Sequence, residues 1–201
     1  MTLSCLPSLG LICFLGLGHS PAMPANAQTS SAAISSPTAT DLRLSLAGRW
    51  SGSLGYRDYQ SNRLIEIPVT TTIEAIADGM TIIRRSLYDD GPNKPVWITT
   101  ISLDDAAAGS STSAAFRAGR AVEPVVETLS VLAAHDPTHW TITYRSVGTD
   151  GDVPADIRVT EIRDGDTLTA TKDVRPIGAD DEAWAFRNQT LLTRVRGTTP
   201  S

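Results

Sequence analysis

Beyond residue 27 the chain has two histidines, and they stand four apart: His135 and His139 in "HDPTHW". On one face of a helix that spacing would offer two imidazoles to a metal ion. Pro137 lies between them, and "HWTITYRSV" then alternates in polarity. The segment therefore reads as a turn running into a strand, and no metal site is expected. Carboxylates recur in "YDDG", "LDDA", "TDGD", "RDGD" and "ADDE". Paired acids serve acid–base chemistry or bind calcium. These sit in turn-like sequence, where Asp hydrogen-bonds the backbone and tolerates unusual φ. There is no Gly-x-Ser-x-Gly elbow, phosphate loop or dinucleotide fingerprint, so no catalytic residue and no cofactor is expected.

A second group is polar residues set in apolar, alternating runs: Arg84, Glu127, Arg145, Arg158, Lys172 and Arg187, with Tyr144 beside Arg145. Two arrangements are open. Facing water, these charges pair with neighbouring acids and do nothing else. Facing inward, they must be paired or solvated, because a lone buried charge is costly, and an arginine there suits the carboxylate of an amphipathic ligand. Arg84, Glu127, Tyr144, Arg158, Lys172 and Arg187 are the candidate ligand-binding set. Tyr88, Trp97 and Trp140 fit a core, a mouth or a surface equally well.

These residues need elements to position them. Residues 1–27 contain no Lys, Arg, Asp or Glu, and "LGLICFLGLG" is an apolar run of secretory-signal length, too short to span a bilayer. "ANA" (Ala25–Ala27) supplies a small-x-small cleavage pattern, so an exported, periplasmic or secreted protein with no membrane anchor is expected. Both cysteines, Cys5 and Cys13, lie inside this segment, and Ile12 stands where a lipoprotein signal needs a small residue. The mature chain would have neither a disulfide nor a thiolate metal site. "QTSSAAISSPTAT", residues 28–40, reads as a flexible linker, with Asp41 as cap of one short helical turn before Gly48. A single domain over 41–197 is the right size for one core. Seventeen basic against 22 acidic residues give a net charge of −5, which disfavours nucleic acid as a partner.

From Gly48 onward the period is two. Trp50, Gly52, Leu54 and Tyr56 share one face, as do Ile65, Ile67, Val69, Ile73 and Ala75. "DDAAAGSSTSAAFRAGR" is weakly patterned and reads as a loop or a ragged edge strand. In "ADIRVTEI", Ile157 and Val159 oppose Arg158 and Ile162, which a bulge or a partly polar interior would explain. Eight to ten strands joined by tight turns are antiparallel neighbours, and closure into an up-and-down barrel removes their edges. An all-β fold and a monomer are expected.

Gly48-Arg49-Trp50 at the start of the first strand resembles the Gly-x-Trp signature of lipocalins and the wider calycin superfamily. That resemblance implies a barrel closed by the Trp packing against a basic residue of the last strand. Arg194 is the choice over Arg196, since Trp184, Phe186, Leu192 and Arg194 appear on one alternation face. It also implies a small apolar or amphipathic ligand held without catalysis. "GRWSGSLGYRDY" is similar, too, to the opening of nitrobindin-like haem barrels. Those ligate haem through a late histidine, and no histidine follows His139. The alternatives are a filled barrel acting as an interaction or inhibitor module, and an enzyme on a barrel scaffold.

Overall fold

A computed structural model describes residues 37–58, 60–92 and 94–197. The expected signal segment and most of the linker lie outside the described residues. Ten antiparallel strands close into one barrel in chain order, the last pairing with the first. They are β1 (Gly48–Arg57), β2 (Leu64–Ala75), β3 (Thr81–Asp89), β4 (Pro95–Asp105), β5 (Ser110–Phe116), β6 (Pro124–Asp136), β7 (His139–Asp150), β8 (Val153–Asp164), β9 (Thr167–Pro176) and β10 (Ala185–Arg194). The alternation of the sequence becomes two surfaces. Trp50, Val69, Thr71, Ile73, Ile82, Ser86, Ile142, Leu168 and Leu192 are all buried within the barrel.

Three readings of the sequence are corrected or resolved. Ser110–Phe116 is a strand paired on both sides, with β4 and with β6; small Ser, Thr and Ala side chains hid its alternation. In β8 the register runs without interruption against both neighbours, so there is no bulge. The inward row simply carries Glu161 and Arg163, both buried, while Ile162 is exposed. In β10 the register against β9 shifts between Phe186 and Asn188, so Trp184 and Phe186 do not share a face with Leu192 and Arg194.

The end of the barrel where β1 begins is plugged by α1 (Ala39–Leu44). Its cap is Thr38, not Asp41: Thr38 Oγ1 accepts from Asp41 N at 3.2 Å, and Asp41 Oδ2 accepts from Thr38 N at 3.0 Å, a reciprocal capping box. Ala39 and Thr40, assigned to the linker from sequence, belong to the helix. Leu42 and Leu46 are fully buried over the barrel end, in one cluster with Trp50, Ile73, Ile82, Leu129, Trp140 and Leu168. The opposite end, which carries the β1–β2, β3–β4, β5–β6, β7–β8 and β9–β10 connections, has no such plug among the described residues.

Candidate functional site

At the plugged end the first and last strands lock together. Trp50 and Arg194 are register partners, and the Arg194 guanidinium carbon lies 4.5 Å from the centre of the Trp50 ring, within cation–π range. Its nitrogens donate to Ala47 O at 2.8 Å and Ser45 O at 2.9 Å, while the Trp50 indole donates to Leu46 O at 2.8 Å. Gly48 sits at φ +139°, and a Cβ there would lie 2.7 Å from Arg194 Nη1. Arg196 instead pairs with Asp166. On the side of the tryptophan, buried Arg163 donates to Pro137 O at 2.9 Å and Ser45 O at 2.9 Å.

Above this plug the barrel centre is ionic. Arg43 reaches in from α1 and pairs with Asp104 of β4, and its Nη1 lies 3.4 Å from Ser102 Oγ. Arg84 of β3 donates to Glu161 Oε1 at 2.9 Å, and Tyr144 donates its hydroxyl to Glu161 Oε2 at 3.3 Å. Ser111 donates to Asp104 Oδ1 at 2.7 Å. Burial works against the charge on Arg43, but the oxygens of Tyr144, Glu161 and Asp104 outweigh it and raise its pKa. Burial likewise opposes ionisation of Glu161, and Arg84 and Arg43 overcome it, holding that carboxyl below its ordinary range. Tyr144 is pushed up by burial and by Glu161. Two arginines and two carboxylates thus neutralise one another around a cavity of about 140 Å³.

Towards the open end a second cavity, of about 340 Å³, is lined by Leu54, Tyr56, Ile67, Tyr88, Ile98 and others, with Asp90, Arg117, Asn188 and Thr190 among its polar groups. Tyr88 and Thr190 also border a smaller space that reaches Arg84. The barrel axis is therefore graded: apolar plug, ionic centre, amphipathic mouth.

The candidate set divides accordingly. Arg84, Glu127 and Tyr144 come together in the central cavity. Lys172 lies in the inward row between Val159 and Asn188, apart from that cluster. Arg158 faces outward, paired with Asp173 at 3.0 Å and stacked on Trp184 at 4.4 Å. Arg187, at the β10 register shift, pairs with Asp150 at 3.0 Å and donates to Arg57 O at 2.6 Å, which holds it at the open end of the barrel, apart from the central cluster. His139 Nδ1 lies 2.9 Å from Asp136 in the hairpin turn. Asp104, Glu161 and Arg43 were missed. Asp104 and Glu161 sit at inward positions of alternating strands and were findable by strict parity. Arg43 comes from a helix whose docking no local pattern reports.

No family model matches the chain, and no curated protein matches it. Among solved structures it is similar to the crystal structure of Rv2717c from M. tuberculosis, at 18% identity over 80% of this chain and 100% of that one, with a TM-score of 0.53. At that identity the likeness shows the fold alone. A second similarity is to a protein of unknown function from the DUF3598 family of Nostoc punctiforme PCC 73102, at 9% identity over 79% of this chain and 100% of that one; its TM-score of 0.24 carries no argument. The chain is thus an all-β protein whose ten antiparallel strands close into an up-and-down barrel.

Proposed function

We propose that this is an exported, calycin-like barrel that holds a small amphipathic molecule in its mouth without transforming it. One observation carries the reading: the cavity of about 340 Å³ at the unplugged end, with Leu54, Ile67, Ile98 and two tyrosine rings as walls and Arg117 and Asn188 at its polar edge. That volume is in the range of small-molecule sites, and apolar walls with few polar groups suit an amphipathic ligand. The charges below the mouth are engaged with one another, which favours binding over catalysis. Native mass spectrometry of the protein from its own host, before and after organic extraction, tests this. The expected result is a discrete extractable mass of a few hundred daltons, absent from an Ile98→Trp variant. An apo mass unchanged by incubation with lipid extract overturns it. N-terminal sequencing of that preparation should begin at Gln28.

A surface reading has one observation in its favour. Trp97, Ile101, Leu103 and Phe116 are 60%, 39%, 44% and 44% exposed on β4 and β5, an apolar stripe of the kind that marks contact faces.

A further inference from the structure

We propose that the central chamber is a second binding site, for a small uncharged molecule presenting a carbonyl or hydroxyl oxygen, and that it is entered through the barrel wall between β6 and β7. Arg43 lines this chamber at 7% exposure, and its Nε has no hydrogen-bond acceptor. Glu161 Oε2 lies 3.6 Å from it. A buried charged donor without an acceptor is expensive, and a ligand oxygen in the adjoining space would relieve it. Thr100 and Ser113 add hydroxyls to the same wall.

Charge and size select the class. Arg43 and Arg84 are already balanced by Asp104 and Glu161, so an incoming anion would be buried uncompensated. A cavity of about 140 Å³ has room for roughly six heavy atoms, since an engineered cavity of about 150 Å³ in another protein binds benzene.

The doorway follows from the strand register. β6 and β7 pair only from Thr128 opposite Arg145 downward. Above that level, Val125–Glu127 pair with β5 and Ser146–Asp150 with β8. Where the two strands part lies a groove of about 520 Å³ that combines outward residues (Arg145, Trp184) with inward ones (Glu127, Ser146, Ile157). Glu127 lines both groove and chamber. Burial pushes its carboxyl up, Glu161 and Asp104 add to this, and Arg43 and a hydrogen bond with Ser146 oppose it. A carboxyl at the threshold repels an anion and leaves an uncharged entrant unopposed.

The test follows the Arg43 Nε–H resonance by NMR, assigned from its disappearance in Arg43→Lys, while the folded protein is titrated with acetamide and, separately, with isosteric acetate. Acetamide should shift the resonance saturably, and acetate should bind at least about ten-fold more weakly. A bulky side chain at the doorway, in Ser146→Trp or at the exposed groove edge in Val126→Trp, should weaken or slow the acetamide response about ten-fold. Ile98→Trp at the mouth should leave it unchanged, which separates this site from the mouth ligand. A resonance unmoved by acetamide means the chamber takes only water and overturns the proposal. Acetate binding as tightly overturns the ligand class. Loss of the response in Ile98→Trp, with both doorway variants unaffected, overturns the route.

Discussion

The two ends of the barrel use similar residue types to opposite effect. At the plugged end Trp50 is 1% exposed, its indole N–H is satisfied by Leu46 O, and Arg194 is fastened to two backbone carbonyls. At the mouth, Tyr56 and Tyr88 are only half-buried and Arg117 is exposed, around open space. The difference lies in what covers each end. A six-residue helix with a capping box turns one into a packed core, whereas the other keeps apolar walls facing a void. Stability should therefore concentrate below the ionic centre and ligand affinity above it.

Substitution can break that contrast, most strongly at the plug. Trp50→Ala should cost ~3–5 kcal/mol in denaturant unfolding, the usual cost of removing a buried aromatic. Tyr56→Ala at the mouth should cost below about 2 kcal/mol, because less area leaves the interior. Equal losses would show that the ends are not energetically distinct. Arg43→Met comes next, at about 3 kcal/mol, since it leaves Asp104 and Glu161 buried with less compensation. Restored stability in Arg43→Met combined with Asp104→Leu would locate the cost in the orphaned carboxylate.

Gly52→Ala probes the seam between β1 and β10. A Cβ there would lie 1.9 Å from Leu191 O, so the backbones must separate, at ~1–3 kcal/mol as for other overpacking. An unchanged melting temperature would mean that the seam yields freely. The smallest effect is at Glu127. Its folded pKa is raised, so ionising it costs stability as pH rises through that value and costs none below the unfolded pKa. Glu127→Gln should raise stability at pH 7 to 8 by less than about 1 kcal/mol, given its partial exposure, and leave it unchanged near pH 4. A gain that persists at low pH would refute the assignment to ionisation.

Period two over Trp50–Tyr56 and Ile65–Ala75, with tight turns between runs, was enough to read an all-β meander and its closure, because alternation is a local property of the chain. Where side chains are small, as in Ser110–Phe116, the same periodicity left no trace, and the strand is visible only through its two neighbours. Phe186 and Asn188 show the converse: counting parity across Ala185–Arg194 fails at a register shift that no residue type announces.

What the sequence by itself determined is the all-β meander and which residues share a face in β1 and β2, since each strand's pleat orients its side chains without reference to distant residues. Which face of the last four strands is inside was not legible in it. Only the tertiary structure decided which polar residues meet. Arg43 and Asp104 are 61 positions apart, and Arg84 and Glu161 are 77 apart. Their pairing depends on the barrel's register and on where one short helix docks. Arg158, chosen from sequence beside Arg84, points away because parity within its strand sets it outside, whereas Arg187 sits at the β10 register shift and is held by Asp150 near the open end. The site depends on separations that a local pattern does not encode: the strand register closes the ring and brings Arg43 to Asp104 and Arg84 to Glu161.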